Sequence, residues 1–396
     1  MQIQEIATFV LKMPLGARRF YSSQAAFPER NSFLVRLTTD TGLVGWGEGG
    51  QYGPAEPVAS FVEDVFAPWI LGKDPMMVGA LWEQNYARTR DFGRKSAAVE
   101  AISALDIAMW DLKGQALGVS LSDLAGGRVR EEITAYATGC YYTDQDLYNP
   151  SAAAERAARE AESYAEAGFP AVKIKLGLLS LHHDIARSKA IRDALGAELR
   201  VMADANHAYD VPSAKTIGHA LGDLGYGWFE EPVVPEDLEG YAELRAGLSI
   251  PIAGGECEYT RFGFKELLTR RCCDILQPDI SASGGFSEAL KIHALASAFG
   301  VRIVPHVWGS GIAVATALQF LSTLPVEPYT ANPLPFESEP VIEFDRNPNA
   351  LRDDLVDPAP RLVDGRIPVP EGPGLGVKVR DDVLSRYTAR TRTASL

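Results

Sequence analysis

Six short apolar runs in the second half of the chain end in residues that can do chemistry. AVKIK carries Lys173 and Lys175, RVMAD ends in Asp204, GWFEE in Glu230 and Glu231, PIAGGE in Glu256, DILQPD in Asp279 and RIVPH in His306. Residues two apart on a strand point to the same side, so a strand at AVKIK aims two ammonium groups at one place. Like charges repel at close range, and more so as water is removed. The acids that follow provide the opposing charge. From Asp204 to His306 the polar ends succeed one another at roughly 25-residue intervals, about one strand-plus-helix unit. Any one of these acids would also suit a helix N-cap or a lysine partner. Four acid-ended runs and then His306, each closing a successive strand, point to one shared mouth.

Three carboxylates gathered at such a mouth cannot all stay ionised without a cation. A hard divalent ion meets that need, and Mg²⁺ takes oxygen ligands while keeping positions for water or substrate oxygens. Asp204, Glu230 and Glu256 are the expected ligands of one Mg²⁺ per subunit. Zinc suits the set less well, since it lacks thiolate and imidazole. The loaded site would still be net negative, so two lysines have a use in drawing in an anionic substrate. His306, after an apolar strand and before Gly309-Ser310-Gly311, is a candidate base, with Asp279 placed to hold its tautomer and raise its basicity. His207, just beyond the run that ends in Asp204, is a candidate pocket residue.

The elements that must position these groups are legible in outline. Residues 2 to 12 and the stretch 32 to 48 read as strands, the latter turning at Thr39-Asp40-Thr41-Gly42. Helical periodicity follows at about 54–69, 75–91 and 95–114. This predicts an α+β capping module over residues 1–130. From about residue 131 the runs ITAYATGC, AVKIKLG, RVMADAN, GWFEEP, PIAGGE, DILQPD, RIVPH and VIEF alternate with helix-length segments. Such alternation predicts a closed parallel α/β barrel over 131–345 more than an open sheet. The segment 346–396 is too irregular for another unit and is expected to pack back on the cap. No GxGxxG or GxxxxGK[ST] follows a strand, which leaves nucleotide binding unsupported.

Length and composition agree. The 396 residues exceed one typical domain and are 46% hydrophobic and 23% charged, as in globular proteins. A formal net charge of −14 argues against nucleic-acid or anionic-membrane surfaces. The four cysteines show no CxxC spacing and suit reduced thiols. The N-terminal MQIQEIATFVLKMPLG alternates like a strand and lacks the basic start and apolar stretch of a signal peptide. A cytoplasmic protein without membrane or nucleic-acid partners is expected.

The ordered set KIK, DAN, FEEP, GGE, QPD and PHVWG resembles the enolase superfamily, in its mandelate racemase subgroup, over nearly the whole chain. The resemblance implies a modified (β/α)₇β TIM-type barrel with an N-terminal cap, and a homo-oligomer. It implies Mg²⁺ on Asp204, Glu230 and Glu256, with Lys175 as general base on one face of a small carboxylate substrate and Lys173 at its carboxylate oxygen. The Asp279 and His306 pair would serve the opposite face. A last-strand glutamate would donate a hydrogen bond to the carboxylate; Glu343 in VIEFD is favoured, with Glu337 in PFESEP competing. Asn206, His207 and Trp308 lie within or beside the same motifs as candidate substrate contacts. Lys173 beside Lys175, with burial, is expected to lower the amine pKa and leave some free base.

The stretches YATGC, FEEPVVPE, SGGFSEALKI, IVPHVWGSGI and EFDRNPN are similar to those of galactarolactone cycloisomerases and acid-sugar dehydratases, which implies β-elimination on an acid sugar or its lactone. The cap loop LGARRFYSSQ offers Arg18, Arg19, Tyr21 and Ser22 for a hydroxyl-rich substrate. Three other readings stand beside this one: a racemase or epimerase, a Schiff-base aldolase using either lysine, and a non-catalytic barrel that retains the metal site and binds sugar acids.

Overall fold

The computed structural model of the chain describes residues 1–50 and 53–396. Eight parallel strands follow one another in sequence: Glu132–Gly139, Ala171–Lys175, Arg200–Asp204, Phe229–Glu230, Ile252–Gly254, Ile275–Leu276, Arg302–Ile303 and Val341–Asp345. Each pairs with its predecessor up to the seventh, and the eighth pairs with the first. Helices lie between them, and apolar residues such as Val172, Val201, Phe229 and Leu276 pack in one large core with helix residues such as Ala161, Ile191, Ile217 and Phe286.

Between the seventh and eighth strands no ladder forms among the described residues, so hydrogen bonding does not close the expected barrel there. The long connection instead brings in Phe336, which joins Tyr136, Met202, Trp228 and Val341 in a separate apolar cluster inside the strands. A side chain fills that end of the barrel, so the interior is a packed core and the chemistry is confined to the opposite mouth.

The cap is built on an antiparallel sheet in which Ile3–Pro14 lies between Glu29–Thr39 and the C-terminal strand Thr388–Ser395, with Val44–Gly49 at the edge. The long helix Ala97–Leu117 packs against Val44–Gly49 at very short range. A Cβ added to Gly47 would stand 1.9 Å from the Ala104 carbonyl oxygen, so only glycine permits this approach. The helix ends at Gly118, whose φ of 70° supplies the left-handed cap. The segment read as 54–69 is helical from Glu56 to Ile70 with a π-helical turn at Phe61–Phe66.

The tail is more ordered than its composition suggests. Arg366–Pro368 pairs antiparallel with the first barrel strand, while Thr388–Ser395 pairs with Ile3–Pro14. It therefore touches both barrel and cap.

Candidate active site

Strand register brings the polar ends together. In the parallel ladder Lys175 lies opposite Asp204, and Asp204 opposite Glu230. Their side chains enter the mouth with that of Lys173. Lys173 is wholly buried and Lys175 nearly so, which is tolerable only with carboxylates at contact distance. Lys173 Nζ lies 2.5 Å from Glu230 Oε1, 2.9 Å from Glu343 Oε1 and 3.8 Å from Asp204 Oδ2. Lys175 Nζ pairs with Asp204 Oδ2, donates to Asn206 Oδ1 at 3.0 Å, and stands 5.0 Å from the centre of the Tyr141 ring.

Asp204, Glu230 and Glu256, all buried, each offer an oxygen, and these atoms lie within 4.8 Å of one another. Glu230 Oε2 also accepts from Trp228 Nε1 at 3.0 Å and Gln277 Nε2 at 2.6 Å. Glu343 adds a fourth buried carboxylate around the two lysines, and the excess of acid appears in the protonation. Burial pushes the Glu230 carboxyl up to about 8 in spite of Lys173, with Asp204, Glu343 and Glu256 adding to the rise. Asp204 is also raised by burial, but Lys175 and Lys173 outweigh this and hold it below its ordinary value. Three close oxygen donors with a charge deficit fit a hard divalent cation.

Burial alone would lower both lysines. The carboxylates outweigh it: Asp204 foremost holds Lys175 above its ordinary value, and Glu230 and Glu343 do so for Lys173. The expectation of a depressed lysine therefore fails for this state of the site, because the adjacent acids count for more than the second ammonium.

On the far side of the acids, His306 Nδ1 and Asp279 Oδ2 are 2.7 Å apart, and His306 Nε2 is 3.8 Å from Glu256 Oε2. Burial lowers the imidazole, yet Glu256, Glu343 and Asp279 bring it up to about 10.

Glu343 resolves the uncertainty over the eighth strand. Its Oε1 accepts from Thr138 Oγ1 at 2.6 Å and its Oε2 from the Val307 amide at 3.1 Å. Burial raises its pKa, but Lys173 and His306 dominate and hold it at about 2. Both of its oxygens therefore accept hydrogen bonds in this arrangement. Glu337 is exposed and pairs with Arg200, the first residue of the third strand. That places it at the opposite end of the barrel.

A cavity of about 360 Å³ opens over these groups. Lys175, Asn206, His207, Glu256, His306 and Trp308 line it from the barrel, and Ser22, Gln24, Phe27 and Glu100 from the cap. The cap loop is held there as a small hairpin. Phe20–Tyr21 pairs with Ala26–Phe27, the Tyr21 amide donates to the Tyr142 carbonyl at 2.8 Å, and Ser23 Oγ donates to the Ala205 carbonyl at 2.8 Å. Phe27 lies edge-on to Trp308 at 5.0 Å, and the buried Arg30, paired with Asp345, stacks 3.8 Å over the same indole.

Arg18, Arg19 and Tyr21 do not line this cavity. Arg18 and Arg19 are exposed, and Arg19 and Tyr21 both engage Asp144, Arg19 at 2.8 Å and Tyr21 at 2.5 Å. Tyr141, Gln24, Phe27 and Glu100 were missed by sequence reasoning. Only Tyr141, one residue beyond YATGC at the first strand end, carried a positional signal.

Residues 6–126 match the mandelate racemase / muconate lactonizing enzyme N-terminal domain, and residues 156–383 the enolase C-terminal domain-like family. The chain is 42% identical to a D-galactarolactone cycloisomerase of Agrobacterium fabrum over 98% of its length and 99% of that protein. It is 34% identical to an arabinonate dehydratase of Saccharolobus solfataricus, covering 90% of each. The crystal structure of the 3,6-anhydro-D-galactonate cycloisomerase of Zobellia galactanivorans superposes with a TM-score of 0.86 at 39% identity, over 98% of this chain and all of that one.

The fold and site define a capped parallel α/β barrel with a carboxylate-rich mouth. The chain belongs to the mandelate racemase / muconate lactonizing enzyme family of the enolase superfamily. It is an enzyme of the lyase or isomerase kind, which sets aside the non-catalytic reading. No helix among the described residues is long and apolar enough to cross a membrane.

Proposed function

We propose that the enzyme removes the proton α to the carboxylate of an acid sugar or its lactone and then expels a β-substituent, so that the outcome is dehydration or lactone isomerisation. One observation carries the reading: Lys175 on the second strand and His306 after the seventh flank, in strand order, the acids of the third to fifth, and Lys175, His306 and Glu256 line one cavity. The activities named for the two relatives and the structural neighbour support the substrate class.

Mg²⁺ held by Asp204, Glu230 and Glu256 would supply Lewis-acid stabilisation of the charge that develops on the substrate carboxylate. Lys175 takes the α-proton. With Asp204 committed to a cation, the largest of the interactions that raise Lys175 is weakened, while burial and Lys173 still lower it against Tyr141 and Glu256. Lys173, already between Glu230 and Glu343, presents a fixed positive charge to the same carboxylate. His306, held by Asp279, gives a proton to the leaving oxygen. The cap loop closes the mouth and limits water.

Two basic groups flanking one carbon also suit reprotonation from the other face, which would give epimerisation. The test is a screen of acid sugars, lactones and hydroxy acids in D₂O, followed by NMR with and without EDTA. Elimination products that vanish on chelation and return with Mg²⁺ are expected. Full turnover after chelation would overturn the metal assignment, and deuterium at the α-carbon without elimination would favour the epimerase.

A further inference from the structure

Three neighbouring strand ends each supply two candidate ligands. Asp204 and His207 lie at or just beyond the end of the third strand, Glu230 and Glu231 of the fourth, Glu256 and Cys257 of the fifth. The first member of each pair builds the acid cluster. The second members offer an imidazole nitrogen, a carboxylate oxygen and a sulfur, and these atoms also lie within 4.8 Å of one another. The His207 amide donates to the Glu231 carbonyl at 2.7 Å, which ties two of the three ligand-bearing turns together.

A second observation points to a ligand. Glu231 is only 1% exposed, and although the Cys257 thiol donates to its carboxylate, its Oε2 has no hydrogen-bond partner. A buried carboxylate oxygen without a partner is costly, and natural structures seldom leave one without a reason. His207 and Cys257 both line the mouth cavity, so the place is reachable from solvent.

We propose that His207, Glu231 and Cys257 form a second cation site that takes a thiophilic divalent ion such as Zn²⁺. Binding breaks the Cys257 S–H bond, forms a metal–sulfur bond and releases the proton to solvent. Three protein ligands of the N, O and S types leave one tetrahedral position open towards the cavity. Mg²⁺, which favours six oxygen ligands, is a poor occupant. The same three strand ends thus sort cations by donor softness, with the oxygen triad for a hard ion and the mixed triad for a softer one.

Cobalt titration of the chelated full-length protein in excess Mg²⁺ tests this, with Co²⁺ as the optical probe for zinc. The wild type should take up one Co²⁺ with a sulfur-to-cobalt charge-transfer band. Cys257→Ser should lose both the band and the bound ion, and His207→Gln should weaken binding at least about tenfold. Thermal melts establish that each variant is folded; should Cys257→Ser not fold, His207→Gln carries the test alone. Absence of the band in the wild type overturns the proposal. So does its persistence in folded Cys257→Ser, which would place the ion on Cys140, Cys272 or Cys273, or unchanged affinity in folded His207→Gln.

Discussion

His306 Nδ1 lies 2.7 Å from Asp279 Oδ2, and both side chains are buried at the ends of adjacent strands. Donation from Nδ1 to the carboxylate fixes the tautomer and leaves Nε2 as the working nitrogen, towards Glu256. Asp279 also helps hold the imidazole up at about 10, behind Glu256 and Glu343, against the lowering effect of burial. Asp279→Asn keeps the shape and removes the charge. It should lower kcat/KM by about 10- to 100-fold and move the histidine limb of the pH profile to lower pH. An unchanged limb would show that Asp279 does not act through His306.

The two lysines differ in what their loss should do. Lys175 reaches the cavity, and Lys175→Ala should cost about 10²- to 10⁴-fold in kcat, the usual worth of a positioned base. Lys173 is enclosed by Glu230, Glu343 and Asp204. Lys173→Met leaves those acids uncompensated, so it should cost about 3–5 kcal/mol of stability in addition to activity. Urea denaturation of both proteins in metal-free buffer distinguishes the roles; equal destabilisation would contradict them.

Away from the mouth, Asp106 on the long cap helix is buried and accepts from the Ser287 amide at 2.9 Å. Burial raises it from 3.8 to about 7. The folded state therefore holds a proton that the unfolded chain has lost. Its contribution is complete below about pH 3.8 and is lost as pH rises through about 7. Asp106→Asn can keep the amide bond and cannot ionise. Its stability relative to wild type should improve with a slope of up to about 1.4 kcal/mol per pH unit across that window, and melts at pH 5, 6 and 8 would show it. A constant difference would refute the account.

How far the sequence could be read depends on where each residue sits. The acids and His306 were visible because a strand end can carry only a few side chains into the mouth, and the types recur unit after unit. Which glutamate follows the seventh strand was not visible. PFESEP and VIEFD both suit a strand end, and only the ladder pairing Glu343 with Tyr136 shows which one enters the barrel. Arg18 and Arg19 were misjudged for a related reason. The hairpin of Phe20–Tyr21 with Ala26–Phe27 leaves both outside, Arg19 on Asp144, and turns Gln24 and Phe27 inward, an outcome set by contacts with residues more than a hundred positions away.

The same cap contributes Glu100 from its long helix to the cavity wall, where Oε1 accepts from Tyr259 Oη at 2.9 Å. Burial, with a small addition from Asp279, raises its carboxyl to about 7 although Tyr259 opposes the rise. Below that pH it is neutral and can donate to a substrate hydroxyl. Above it a negative charge faces an anionic substrate across the cavity, so KM should rise as pH passes through 7 while kcat changes less. Glu100→Gln stays neutral and should keep KM flat from pH 6 to 9, which steady-state kinetics on the substrate found by the screen would show. If the variant retains the same rise in KM, the charge responsible lies elsewhere in the mouth, and Glu100 only supports Tyr259.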